Sequence, residues 1–316
     1  MVETHRNKHE FMYPPIVERE GRKLAVMAFS DIDGTITNEG LPDRERIDSI
    51  GPAKEGIGLL EAKGIPVGLI TARSLGEAEV YQKAIGNKGI TICEDGAVIL
   101  LPPHAIDKRD KKEISEQMRL IEHNGSAVIL LSAADSPAIE NFLAFTEEEA
   151  AKRGSQPQPS PERPTPHASF ANVNMDRIGS VYADNTTEIQ REVIHEYASS
   201  RNIRYFGRPQ YLHLVGADAH KGTALQFIND NFQLFMPHDS EVDGILPVVF
   251  GNNENDLVLF EKAREMNGLG VLVKNIRGGY SVPEDKIDDS IIKATQPYGH
   301  GITEAIPQII AELKLE

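Results

Sequence analysis

The sequence predicts an α/β protein: a doubly wound, Rossmann-like parallel sheet with an α+β cap domain inserted into it. Three observations carry this. Apolar runs without alternation occupy residues 24–29, 65–70 and 246–250, and such runs read as strands buried on both faces. Each run ends in polar residues and is followed by a stretch of helical spacing, which is the βαβ pattern. Between the second run and the third, the chain changes character and then returns. The expected division is a leader at 1–20, a first part of the core at 21–104, a cap at 105–213 and a second part of the core at 214–316.

Taken in order, residues 1–20 read as a polar leader with no apolar stretch of the signal-peptide kind. The first strand then runs straight into Ser30-Asp31-Ile32-Asp33-Gly34-Thr35. Residues 36–52 are polar and contain Gly40, Pro42 and Gly51, so they read as a flap over the strand end. Pro52 suits the first turn of a helix, which Gly64 stops. The second strand ends in Thr71-Ala72-Arg73-Ser74, and a helix is expected from about 75 to 85. Short strands follow at 90–93 and 97–101, separated by Glu94-Asp95-Gly96.

After Pro102-Pro103 the reading is a charged helix over 108–123, a strand at 127–131 and a helix at 137–153. Residues 154–167 carry Pro157, Pro159, Pro161, Pro164 and Pro166, which excludes a regular helix or central strand. A strand at 177–183, a helix at 187–200 and strands near 203–206 and 210–215 complete the cap. The core resumes with a helix from 222 to 232, a strand at 246–250, a helix at 256–266, a strand at 269–273 and an amphipathic helix at 302–315.

Composition narrows the function classes. The 316 residues include 33 Lys and Arg against 48 Asp and Glu, a formal net charge of −15. So acidic a chain argues against nucleic acid and anionic membranes as partners. It also requires any anionic substrate to meet a locally positive site. The one cysteine, Cys93, excludes an internal disulfide and a thiolate metal cluster. No run approaches the roughly 20 apolar residues of a membrane span. The expectation is a soluble, cytoplasmic protein.

The candidate chemistry collects at strand ends. Asp31 and Asp33 follow the first buried strand, where ligands of open α/β sheets bind. Two clustered carboxylates repel, and a cation such as Mg²⁺ relieves that repulsion. Thr71 offers a hydroxyl and Arg73 a guanidinium to an anion. Lys221 stands at a helix start, a positive corner suited to phosphate. Asn252, Asn255 and Asp256 lie just after the strand at 246–250.

These four stretches, in this order, resemble the four motifs of the haloacid dehalogenase-like phosphatases. Asp31-Ile32-Asp33-Gly34-Thr35 is similar to the first, Thr71-Ala72-Arg73 to the second in its sugar-phosphatase form, and His220-Lys221-Gly222 to the third. Gly251-Asn252-Asn253-Glu254-Asn255-Asp256 resembles the fourth, with Asn252 where the family has a metal-binding aspartate. The placement of the cap and Glu94-Asp95-Gly96-Ala97 resemble the branch with an α/β cap, which usually has Glu-Asn-Gly-Ala. Residues 212–214, Asn255-Asp256-Leu257 and Pro297-Tyr298-Gly299-His300-Gly301 look most like mannosyl-3-phosphoglycerate phosphatases.

The resemblance implies roles. Asp31 would be the nucleophile and Asp33 the general acid/base. Thr71, Arg73 and Lys221 would hold the phosphate. Mg²⁺ would be held by Asp31, Asp33, Asn252, Asn255 and Asp256, with Asn252 contributing an oxygen but no charge. The expected activity is hydrolysis of a small phosphorylated metabolite, a sugar phosphate or glycosyl-phosphoglycerate. A phosphomutase on the same scaffold and a non-catalytic binder of phosphorylated ligands are the alternatives.

Overall fold

The computed structural model describes residues 14–87, 89–101, 119–131, 173–174, 196, 198–200, 203–208, 211–236 and 241–315. The first element is a hairpin. Strand β1 (Ile16–Arg19) pairs antiparallel with the start of β2 (Arg22–Ser30). Its turn residues Glu20 and Gly21 have φ of 52° and 73°, the left-handed pair that matches strand twist in a tight hairpin. The expected leader therefore ends in a strand. Its alternation of half-buried and exposed residues marks an edge element rather than a core one.

From Leu24 onward β2 is buried on both faces. A short helix α1 (Asp43–Arg46) and a 3-10 turn (Ile47–Ile50) sit in the expected flap and lead into α2 (Gly51–Ala62). Strand β3 (Val67–Ile70), helix α3 (Leu75–Ile85), β4 (Thr91–Cys93) and β5 (Val98–Leu100) follow. At the start of α3 the Glu77 side chain accepts the Ser74 N–H at 3.2 Å, and Gly86 ends the helix at φ 80°. This is capping-box and left-handed C-cap chemistry.

Residues 119–123, expected at the end of a helix, form strand β6 (Arg119–His123), hairpin-paired with β7 (Ser126–Leu130). The turn is Asn124-Gly125, with φ of 50° and 79°, the strongest short-range hairpin signal a sequence offers. Charge density in the preceding residues masked it. Strand β7 then pairs antiparallel with β5. These two strands, placed by sequence at the start of the cap, extend the main sheet instead.

Strands β8 (Val173–Asn174), β9 (Ile203–Arg208) and β10 (Tyr211–Gly216) form a separate three-stranded sheet in the order β8-β10-β9. The helix expected at 137–153, the proline-rich stretch at 154–167 and the strand at 177–183 lie outside the described residues. Then come α4 (Lys221–Asp230), β11 (Gly244–Gly251), α5 (Leu257–Glu265), β12 (Leu269–Lys274), β13 (Ile292–Pro297) and α6 (Tyr298–Leu313). Strand β13 was not read from sequence. Its buried residues alternate with exposed ones, as on an edge strand.

The main sheet runs β13-β12-β11-β2-β3-β4-β5-β7-β6, parallel from β13 through β4. From β2 the chain winds outward through β3 and β4, and later returns on the other side through β11, β12 and β13. The switch in direction falls beside β2, where open α/β sheets leave a crevice at the strand ends. Alternate residues of the buried strands point to opposite faces. Val26, Ala28, Val248 and Phe250 pack under α2 and α6, through Ala53, Ile57, Leu60, Ile302 and Ile306. Phe29 and Val249 pack under α4 and α5, through Leu225, Ile228, Leu259 and Phe260. Helices on both faces complete the doubly wound architecture that the sequence predicts. Among the described residues no helix is long and apolar enough to cross a membrane.

Candidate active site

Asp31 is the first residue past β2. Its N–H donates to the Phe250 carbonyl at 3.0 Å, so the backbone of β11 fixes where the carboxylate begins. The chain then turns tightly. Gly34 has φ 81°, and a Cβ there would lie 2.1 Å from Asn252 Nδ2. Only glycine permits both that conformation and that approach.

Lys221 opens α4 and reaches the same place from the opposite side. Its Nζ donates to Asp31 Oδ1 at 2.8 Å and to Asp256 Oδ1 at 2.6 Å. All three groups are buried. Asp256 is held in turn, since its Oδ2 accepts the N–H groups of Asn252 at 2.9 Å and Asn253 at 3.2 Å. The Asn252 side-chain oxygen accepts from Thr35 Oγ1 at 3.3 Å and from Asn253 Nδ2 at 3.1 Å.

The electrostatics follow from this packing. Burial, helped by the nearby carboxylates of Asp256 and Asp33, pushes the Asp31 carboxyl up to about 7 against the pull of Lys221. Burial alone would lower Lys221, but Asp256, Asp31 and Asp95 outweigh it and keep the ammonium charged.

Asp33 meets different partners. Arg73 donates through Nε to its Oδ2 at 2.8 Å and through Nη2 to its Oδ1 at 2.7 Å. Arg46, from α1, donates through Nη1 to the same Oδ1 at 2.8 Å. Burial would raise the Asp33 carboxyl, but the two guanidinium groups hold it down at about 2. Arg73 also donates to Glu77 at 3.1 Å and lies 5.0 Å from the centroid of the Tyr81 ring.

Thr71 is buried at the end of the neighbouring strand, its N–H on the Ile92 carbonyl and its hydroxyl accepting the Arg73 N–H. Asn255 is exposed on the turn before α5. Its N–H donates to Asn253 Oδ1 at 2.8 Å. The structure thus brings Asp31, Lys221, Asn252 and Asp256 into one hydrogen-bonded cluster and joins Arg73 to Asp33. Thr71 lies at the adjacent strand end, and Asn255 meets the cluster through its backbone.

Sequence reasoning missed Arg46, which sits among polar flap residues that carry no local signal. It also missed a third buried carboxylate beside Lys221. Asp95 lies in a turn where Glu94, Asp95 and Gly96 all have positive φ, of 51°, 53° and 95°. Asp95 accepts from Arg204 of β9, which also donates to the Ala219 carbonyl. Burial raises the Asp95 carboxyl despite Arg204 and Lys221. The 94–96 turn is legible in sequence as a motif, but its charge partner lies far away along the chain.

The donor set around Asp31 is all oxygen, which suits a hard divalent cation. Asp31 and Asp256 supply charge, and Asn252 supplies a neutral oxygen. Among the described residues no group of three or more His, Cys, Asp or Glu is arranged to hold a metal ion.

Residues 28–278 match the family described as haloacid dehalogenase-like hydrolase. Glucosyl-3-phosphoglycerate/mannosyl-3-phosphoglycerate phosphatase of Persephonella marina is 25% identical over 297 residues, covering 92% of this chain and 98% of that protein. A solved structure from Thermoplasma acidophilum superposes with a TM-score of 0.56 at 16% identity, over 93% of this chain and all of that one. Trehalose-6-phosphate phosphatase of Aspergillus fumigatus superposes with a TM-score of 0.52 at 12% identity, over 91% and 93%. At these identities the structural likenesses speak for the fold. The family match runs from the first aspartate loop past the fourth motif, and on it the chain belongs to the haloacid dehalogenase-like hydrolases.

Proposed function

We propose that this haloacid dehalogenase-like phosphatase hydrolyses a phosphomonoester of a small sugar phosphate or glycosyl-phosphoglycerate, with Mg²⁺ as cofactor. The observation that carries the reading is Lys221 Nζ held between Asp31 and Asp256 at the end of the central strand. That geometry fixes a buried Asp31 carboxylate at the strand end with a cation beside it. The Persephonella marina relative, similar over nearly its whole length, supports the substrate class.

In this reading an Asp31 oxygen attacks phosphorus and the bond from phosphorus to the leaving oxygen breaks. Asp33, protonated on an oxygen that a guanidinium partner has given up, passes that proton to the leaving oxygen, then takes one from the water that attacks the aspartyl-phosphate. Water's oxygen ends on phosphorus and Asp31 is restored. Lys221 and the Thr71 hydroxyl meet the phosphoryl oxygens as charge grows on them. Asp31, the Asp33 backbone carbonyl, Asn252, Asn255 and Asp256 are the residues to hold Mg²⁺, which when bound would neutralise phosphoryl charge. The separate three-stranded sheet β8-β10-β9 would close over the crevice and exclude water.

The test is a screen of phosphorylated metabolites with and without Mg²⁺. The expected result is Mg²⁺-dependent release of phosphate that Asp31→Asn removes. Transfer of the phosphoryl group to another hydroxyl of the sugar, without free phosphate, would instead mark a mutase. Phosphate release surviving in Asp31→Asn would overturn the nucleophile assignment.

A further inference from the structure

The arrangement around Asp33 assigns a role to Arg46. Both carboxylate oxygens of Asp33 are occupied: Arg73 takes one oxygen through Nε and shares the other with Arg46. The shared oxygen already accepts two bonds, so it can face a leaving-group oxygen only when one of them opens. Arg73 is the harder to move. It is bidentate on Asp33, bonded to Glu77, and its guanidinium lies over Tyr81. Arg46 donates to Asp33 through Nη1, at the shared oxygen.

The rest of the Arg46 side chain is built into the flap. Its Nε donates to the Leu41 carbonyl at 3.0 Å, and its own carbonyl accepts from Ser49 Oγ, which accepts the Asn38 N–H. Its Nη2 donates to the Glu39 carbonyl at 3.4 Å, so the guanidinium is held at the flap with Nη1 directed at Asp33. Arg46 and Asp33 keep 22% and 34% of their side-chain surface in solvent, so an incoming molecule meets them both.

A group that draws a guanidinium from a carboxylate is another anion of matching geometry. We propose that Arg46 is a specificity-determining residue that binds a second anionic group, a carboxylate or phosphate, on the leaving part of the substrate. In doing so it gives up its bond to Asp33, leaving the shared oxygen with Arg73 alone and with one acceptor position open to the leaving group. The inference rests on the phosphatase reading for its placement of the leaving group, but its binding readout does not need turnover. Substrates with a second anion would be preferred because they alone both fill the site and open Asp33.

The test compares 3-phosphoglycerate with glycerol 3-phosphate, which differ by the carboxylate. Rates are measured for wild type, Arg46→Lys and Arg46→Gln. Dissociation constants are measured by calorimetry in the Asp31→Asn background with each residue at 46. Wild type should prefer 3-phosphoglycerate in kcat/KM by about tenfold or more, the scale of one charge-assisted contact. Arg46→Gln should bring that ratio close to one, and Arg46→Lys should fall between them. The same ratio should change in the dissociation constants.

Equal loss on both compounds would overturn the proposal and leave Arg46 as a mere brace for Asp33. No preference in wild type, or no binding of either compound, would also overturn it. Discrimination in binding without phosphate release by wild type would retain this site while removing the phosphatase reading.

Discussion

Lys221 Nζ lies 2.8 Å from Asp31 Oδ1, although 190 positions separate the two residues. One ends the first buried strand and the other opens a helix after the inserted unit. The contact brings that strand end and that helix start together beside β2, and it also satisfies two buried charges that would otherwise oppose folding.

Replacing Asp31 with Asn should abolish turnover and leave the fold intact. Lys221 keeps Asp256 as its partner at 2.6 Å, so no buried ammonium is left alone. Phosphate release and the circular dichroism spectrum of the variant are the measurements. Retained activity with a native spectrum would sink the assignment.

Replacing Lys221 with Ala should affect both rate and stability. Asp31 and Asp256 would face each other buried without their cation, a loss of about 3–5 kcal/mol for breaking a buried pair. Turnover should fall by roughly 10²-fold or more, as when one transition-state donor is removed. Urea denaturation and steady-state kinetics check the two parts separately.

Asn252→Asp should lower the Mg²⁺ concentration needed for half-maximal activity. A carboxylate beside Asp31 and Asp256 adds attraction for the cation and adds repulsion when the cation is absent. Both effects favour the loaded protein. A Mg²⁺ titration of the two proteins decides, and coincident half-saturation values would remove position 252 from the ligand set.

Gly34→Ala should destabilise the protein by about 1–3 kcal/mol, because a side chain there is forced into a left-handed backbone. The new methyl would also displace Asn252, whose Nδ2 is 2.1 Å from its ideal position. The expected result is a lower denaturation midpoint and a raised Mg²⁺ requirement. A midpoint equal to wild type would show that the turn relaxes freely.

The pH dependence follows from Asp31. Its ordinary value is 3.8 and burial lifts it to about 7 in the folded protein. Between those values the folded state holds a proton that the unfolded state has released. Cation-free protein should therefore lose stability as pH rises from about 4 to 7, then level off. Asp33 has the opposite sign. Held down at about 2, it contributes stability above about pH 4 that is lost as pH falls toward 2. Denaturation midpoints in chelator should drop from pH 5 to pH 8 more for wild type than for Asp31→Asn. Added Mg²⁺ should reverse the drop at pH 8, and a wild-type profile parallel to the variant would contradict it.

The sequence by itself determined the doubly wound sheet, because non-alternating apolar runs such as residues 24–29 fit only strands covered on both faces. It also placed Asp31, Thr71 and Lys221 at strand ends and a helix start, since strand, turn and helix signals are local. The same local logic fails at β6, where charged residues obscure the Asn124-Gly125 turn, and at β1 and β13, whose edge positions show little apolar pattern. Only the tertiary structure decided the partners. Arg46 and Arg73 converge on Asp33 from different elements, and Arg204 reaches Asp95 from 109 positions away. Such ion pairs leave no periodic trace, because a single charged residue looks alike in sequence whether it is solvated or buried against its opposite. Which carboxylate faces a lysine and which faces two guanidiniums was fixed by packing, and that difference drives Asp31 up and Asp33 down.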